Sequence, residues 1–205
     1  MKWVVLIIVA VILILVLWRL GSKRYVLPCP SFLSWMVEMD NPWAKENQSA
    51  IILNHLGLRE RMVVADVGCG PGRLTVPLSK KLNGQIQVLA LDIQSNMLEK
   101  VKKKSNDADN ITLIQGKIGE GKLPINHCDI ILLVNVLGEI PEQLKACQEM
   151  VAALKSDGVF SVTETIFDPH FQRASKVRNL ARQVGLRETG FFGKWFSYTL
   201  HFKHH

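Results

Sequence analysis

Met62-Val63-Val64-Ala65-Asp66-Val67-Gly68-Cys69-Gly70-Pro71-Gly72-Arg73-Leu74-Thr75 begins as an apolar run and then alternates three glycines. Met62 to Val67 is short, branched and almost unbroken, as expected of a strand buried on both faces. Helical spacing follows over Leu74 to Lys81. A glycine turn between strand and helix lets a ligand approach the backbone, because glycine adopts positive φ and carries no side chain. In an open α/β sheet that ligand lies beyond the carboxyl ends of the strands. The next strand candidate, Gln87 to Leu91, leads into Asp92, 20 residues after Gly72. An acid there can accept both hydroxyls of a ribose. Dinucleotide enzymes use GxGxxG, and counted from Gly68 the third glycine would fall on Arg73. That spacing disfavours a nicotinamide oxidoreductase.

Outward from this stretch, short apolar runs alternate with helical ones. Strands are predicted over Met62–Val67, Gln87–Leu91, Ile111–Gln115, Asp129–Val134, Val159–Glu164, Leu186–Phe192 and Phe196–Phe202. Helices are predicted over Leu74–Lys81, Asn96–Lys104, Glu142–Leu154 and Pro169–Val184, with an earlier one starting at Asn41-Pro42 and stopping at Gly57. Such alternation means a parallel sheet with helices on both faces. Only Gly193, Lys194 and Trp195 separate the last two strands, too few for a parallel crossover, so these two form a hairpin.

The GxGxG turn with its proline resembles the class I S-adenosylmethionine-dependent methyltransferases. Asp92-Ile93-Gln94-Ser95-Asn96-Met97-Leu98 is similar to that family's acidic loop and following helix start. Cys128-Asp129-Ile130-Ile131-Leu132-Leu133-Val134 resembles its fourth strand, and Leu154-Lys155-Ser156-Asp157-Gly158-Val159 its turn into the fifth. The resemblance runs from Asn47 to Lys203. It implies a Rossmann-like, doubly wound α/β fold with seven strands in the order 3-2-1-4-5-7-6, the last antiparallel. It also implies S-adenosylmethionine as cofactor. Asp66, Gly68, Gly70 and Gly72 would hold the methionine part, Asp92 the ribose hydroxyls and Ile93 the adenine; Ile118 and Asn135, after the third and fourth strands, join the cofactor set. Two positions depart from the family's pattern. Lys117 stands where many relatives have an acid for the adenine amino group, and Gly138 where many have a histidine.

The chain has 205 residues and a net charge of +7. Residues 1–24 hold four cations and no acid, and residues 165–205 hold seven cations against two acids, so the excess sits at the two ends. A nucleic-acid binder would show a dense basic stripe interleaved with aromatics, so no nucleic-acid partner is expected. Arg173, Lys176, Arg178 and Arg182 are expected instead to meet anionic headgroups, Arg178 and Arg182 foremost. The four cysteines, Cys29, Cys69, Cys128 and Cys147, contain no Cys-x-x-Cys pair, which argues against a zinc site or a disulfide framework and for a reducing compartment. No metal is expected.

Trp3 to Trp18 carries no charged side chain, with Lys2 before it and Arg19, Lys23 and Arg24 after it. Sixteen residues of helix rise about 24 Å, near the thickness of a bilayer core. The flanking tryptophans suit the interface, and the cations place the body on the cytoplasmic side. Residues 1–24 are therefore expected to form a membrane anchor and residues 25–46 a linker with an amphipathic helix over Phe32–Met39. Residues 47–205 would be the methyltransferase domain.

Methyl transfer from a sulfonium needs alignment first, and a base only if the nucleophile carries a proton at neutral pH. Glu139, Glu164, Asp168, His170 and Tyr198 lie near strand ends; His170 is the first choice as base, with Glu139 beside it, although Asp168-Pro169-His170 could instead cap the next helix. The anchor points to a hydrophobic small-molecule or lipid acceptor. The rival readings are a cofactor-binding membrane scaffold without turnover and the nicotinamide oxidoreductase.

Overall fold

The computed structural model describes residues 39–205, together with the isolated positions Lys2, Trp3 and Gly21. The predicted anchor over Trp3–Trp18 and the predicted helix over Phe32–Met39 lie outside the described residues, apart from their end positions Trp3 and Met39. Among the described residues no helix is long and apolar enough to cross a membrane.

Seven strands form one sheet: β1 (Val63–Val67), β2 (Gln87–Asp92), β3 (Ile111–Gln115), β4 (Cys128–Val134), β5 (Leu154–Thr165), β6 (Leu186–Lys194) and β7 (Ser197–His204). Their order is β3-β2-β1-β4-β5-β7-β6. The first five are parallel to one another, and β7 runs antiparallel between β5 and β6. The order, the parallel core and the terminal hairpin agree with the sequence reading.

Within residues 39–205 five α-helices pack around the sheet: α1 (Ser49–His55), α2 (Thr75–Ser79), α3 (Ser95–Ser105), α4 (Gln143–Ala153) and α5 (Ala174–Gln183). One face carries Val64, Val88, Ile130 and Leu132 against Ile52 and Leu56 of the α1 region and Leu74 and Leu78 of the α2 region. The other carries Ala65, Val67, Leu91, Ile131, Leu133, Val162 and Leu200 against Ala146 and Met150 of α4 and Val177 and Ala181 of α5. Strand alternation explains the split, because successive side chains point to opposite faces.

Several boundaries differ from expectation, each for a local reason. The helix predicted from Asn41-Pro42 does not start there. Asn41 Oδ1 accepts the amide of Trp43 at 2.9 Å in a tight turn, and α1 begins only at Ser49, whose amide donates to Asp40 Oδ1 at 3.0 Å. Gly57, at φ +60°, does terminate that helix. The helix predicted over Leu74–Lys81 is shorter, because Leu82 and Asn83 take left-handed φ of 50° and 56° just beyond it. Pro77 is tolerated inside α2 because its missing N–H falls in the first turn, where it would have no helical partner. Strand β5 starts at Leu154, which pairs with Cys128 ahead of a register shift, so α4 stops one residue earlier than predicted. The helix predicted over Pro169–Val184 loses its first turn: Asp168 Oδ1 accepts the amide of His170 at 2.7 Å within a separate turn, rather than capping α5.

One residue of the basic α5 face has an acidic partner within the fold. Arg178 forms a bidentate pair with Glu188 of β6, at 2.6 and 3.0 Å, and its guanidinium lies 5.1 Å from the centre of the Phe191 ring. Its charge is thus partnered by Glu188 at the surface.

Candidate active site

Gly68, Gly70 and Gly72 all have positive φ, at 71°, 53° and 89°. At Gly68 an added Cβ would lie 2.5 Å from Val136 Cγ2, so glycine is required by space as well as by φ. The turn is stitched to the end of β2: the amides of Gly68 and Cys69 donate to the Leu91 carbonyl at 2.8 and 3.0 Å, and Gly70 N donates to Asp92 Oδ2 at 2.8 Å. Asp92 Oδ1 accepts Gln94 N at 2.9 Å. Burial raises the Asp92 carboxyl, and the amides of Gln94, Gly70 and Ile93 pull it back. A carboxylate offers about four lone-pair sites, so these bonds leave acceptor capacity for a diol. Ile93, at the same strand end, is exposed.

Asp66, at the end of β1, is buried and accepts the Thr75 hydroxyl at 2.6 Å. Burial pushes its carboxyl from 3.8 up to about 6, against the pull of the Thr75 hydrogen bond and the Arg73 charge. Arg73 fills the position that excluded the dinucleotide motif. Its guanidinium donates to Asn47 O at 2.6 Å, to Asn47 Oδ1 at 3.2 Å and to Asp40 Oδ1 at 3.0 Å. Asn47 Oδ1 also accepts Asn135 Nδ2 at 3.2 Å. Asn135 has φ 58°, and its own Oδ1 accepts the amide of Thr165. Thus Arg73, Asn47 and Asn135 join the glycine turn, the segment before α1 and the ends of β4 and β5. The sequence reading assigned Asn135 to the site but not Asn47, Arg73 or Thr75. An arginine directly after a glycine turn was the available signal for Arg73; Asn47 offered none.

At the end of β4, Gly138 meets the turn after β5. An added Cβ there would collide with the His170 carbonyl and lie 2.7 Å from Gln172 Nε2. Neither histidine nor alanine fits at 138, because the turn bearing His170 occupies that space. His170 is buried, with Nδ1 3.5 Å from Glu139 Oε1 and 3.9 Å from Asp168 Oδ1. The structure therefore brings His170, Glu139 and Asp168 together. Glu164 and Tyr198 are buried beneath the same turn: Glu164 Oε2 accepts Gln172 N at 2.9 Å, and the Tyr198 hydroxyl donates to Gln172 O at 2.6 Å. Burial raises both groups above their ordinary values, and both hold the turn through Gln172. Ile118 follows β3 and is partly buried against the core.

The seven-stranded order, the glycine turn over β1 and the acid ending β2 define a class I S-adenosylmethionine-dependent methyltransferase domain. A family model described as "Methyltransferase domain" matches residues 58–189, and the chain belongs to that family. It is 31% identical over 128 residues to a demethylmenaquinone methyltransferase of Staphylococcus aureus, covering 62% of this chain and 51% of the relative. The chain thus spans about half the length of the curated relatives it matches. Among solved structures, it is similar to a SAM-dependent methyltransferase from Aquifex aeolicus, with a TM-score of 0.73 and 20% identity over 85% of this chain and 98% of that one. A TehB-like SAM-dependent methyltransferase from Corynebacterium glutamicum gives 0.64 and 21% over 78% and 88%. These two likenesses speak to the fold. The family's cofactor is S-adenosylmethionine, and the close-packed Gly68 and the partly satisfied Asp92 carboxylate fit it.

Asp66 makes stability depend on pH. Between 3.8 and about 6 the folded chain keeps a proton there that the unfolded chain has released. Stability therefore falls as pH rises through that window, and the full cost is present above it. Asparagine keeps an acceptor for Thr75 and has no charge to desolvate. Asp66→Asn is expected to exceed the wild type at pH 8 by roughly 2 to 3 kcal/mol and to lose that advantage at pH 4, measured by urea unfolding. An equal difference at the two pH values would contradict this.

Proposed function

We propose that the chain transfers a methyl group from S-adenosylmethionine to a hydrophobic, quinone-like or lipid-like small molecule at a membrane surface, with its body on the cytoplasmic side. The observation that carries the acceptor class is the rim of the site. Phe167 and Trp195 are 52% and 73% exposed. They flank the Ile166 N to Phe196 O bond at the carboxyl end of β5, the end at which open α/β sheets bind ligands. Single exposed apolar residues are ordinary, but a pair beside the site suits an apolar acceptor. The apolar run from Trp3 to Trp18 and the relatives named for demethylmenaquinone support the same reading.

In this reading Asp66 and the turn of Gly68, Gly70 and Gly72 hold the amino-acid part of the cofactor. Asp92 accepts the ribose hydroxyls, Ile93 and Ile118 flank the adenine, and Asn135 closes the site from the end of β4. The bound cofactor supplies an activated sulfonium methyl group. His170 takes the acceptor's proton, and Glu139 orients its ring from 3.5 Å. The turn that carries His170 is held by Glu164 and Tyr198, so the base sits on a rigid support.

The roles separate experimentally. Asp92→Ala is expected to weaken S-adenosylhomocysteine binding by about 1.5 to 3 kcal/mol in calorimetry, the range for hydrogen bonds to a charged group. His170→Ala should leave that affinity intact and lower kcat on a short-chain demethylmenaquinol by roughly a hundredfold or more. Unchanged affinity in a folded Asp92 variant, or an unchanged kcat without His170, would refute the respective role. Deleting residues 1–24 should move the body from the membrane pellet to the supernatant. A body that still pellets with the membranes would refute the anchor.

A further inference from the structure

Four backbone amides of the loop after β3 converge on one side chain. Glu149, midway along α4, accepts Gly119 N and Gly121 N on Oε2 at 2.5 and 3.0 Å, and Lys122 N and Leu123 N on Oε1 at 2.5 and 2.9 Å. A single carboxylate thus gathers donors from a five-residue stretch. The loop is also pinned at its start, where Gly116 N donates to Asp92 O at 3.1 Å. It packs closely on itself and on α4: a Cβ at Gly116 would collide with the Lys122 side chain, and one at Gly119 would lie 3.5 Å from Ala146 N. Leu123 buries its side chain at the far end. Between the two fixed amides of Gly116 and Gly119 lie only Lys117 and Ile118.

We infer that Glu149 is a positioning residue that holds the Lys117–Ile118 backbone as the adenine-selecting element of the cofactor site. This rests on the cofactor assignment above. Neither the lysine nor the isoleucine side chain contains a hydrogen-bond acceptor, and the flanking residues are glycines. An exocyclic amino group can therefore be met on this segment only by a main-chain carbonyl. A carbonyl discriminates between bases only if its place is fixed, and a loop with several glycines does not fix itself. Charge-assisted bonds to four amides supply that fixation. The familiar arrangement is an acidic side chain on the loop reaching the base. Here the acid is on the neighbouring helix and acts through the loop's backbone.

The test compares two ligands on the full chain in detergent by calorimetry: S-adenosylhomocysteine, and S-inosylhomocysteine, in which a carbonyl replaces the amino group. The wild type is expected to prefer the adenosyl compound. Glu149→Gln keeps the shape but turns an amino group toward amides that need an acceptor. It should weaken the adenosyl compound roughly tenfold or more while changing the inosyl compound far less, so that the preference collapses. Asp92→Ala, by contrast, should weaken both alike. Equal losses for the two ligands in a folded Glu149→Gln protein, or no loss, would overturn the inference. A wild type that binds neither compound would overturn the cofactor assignment, and the inference with it. If the variant does not fold, hydrogen exchange on the wild type decides. The amides of Gly119, Gly121, Lys122 and Leu123 should be protected without ligand, with further protection on adding S-adenosylhomocysteine at Lys117 and Ile118. Rapid exchange at those four amides, or no added protection at those two, would overturn the inference.

Discussion

The amide of Gly70 donates to Asp92 Oδ2 at 2.8 Å, and this bond joins the turn after β1 to the end of β2. Around it the Leu91 carbonyl takes two further amides from the same turn. The chain can come this close only because Gly68 has no Cβ to strike Val136. The acid proposed to meet the ribose is thus also the acid that shapes the turn. The cost is desolvation, seen in the raised carboxyls of Asp92 and Asp66, and the fold offsets it with amides, the Thr75 hydroxyl and the Arg73 guanidinium.

Arg73 extends that constraint. Buried cations are expensive unless paired and hydrogen-bonded. This one bonds to Asp40, to the Asn47 carbonyl and to the Asn47 side chain. Asn47 in turn reaches Asn135, so the segment ahead of α1 is tied to the ends of β4 and β5. Beneath it the inward residues of β5 and β7 are polar: Thr163 and Thr199 hydrogen-bond at 2.8 Å, with Thr165 paired to Ser197 alongside. The placement of the segment ahead of α1 therefore draws on polar bonds whose geometry is directional.

At the other side of the site, Gly138 and His170 are complementary. A side chain at 138 would exclude the turn that carries His170. The glycine at 138 and the placement of His170 after β5 are therefore one structural fact. The turn is secured from below by Glu164 and Tyr198, neighbours across the β5–β7 pairing, which both hold Gln172.

The order of strands and helices, the hairpin at the end, the glycine turn and the acid at Asp92 were legible in the sequence. Each is written in local spacing: a period of two or 3.6, or a glycine where φ must be positive. Two of the boundaries that moved did so where a side chain bonded to nearby backbone, as Asp168 does to His170 and Asn41 to Trp43. Such local bonds compete with helix and leave little periodic trace. Only the tertiary structure decided that Asn47 meets Arg73 from 26 residues away and Asn135 from 88, and that Glu149 gathers the loop after β3. Those contacts depend on which strand ends become neighbours in the 3-2-1-4-5-7-6 sheet, and on which helix face lies beside them. No spacing along the chain encodes that adjacency, because it is created when the apolar faces are buried together.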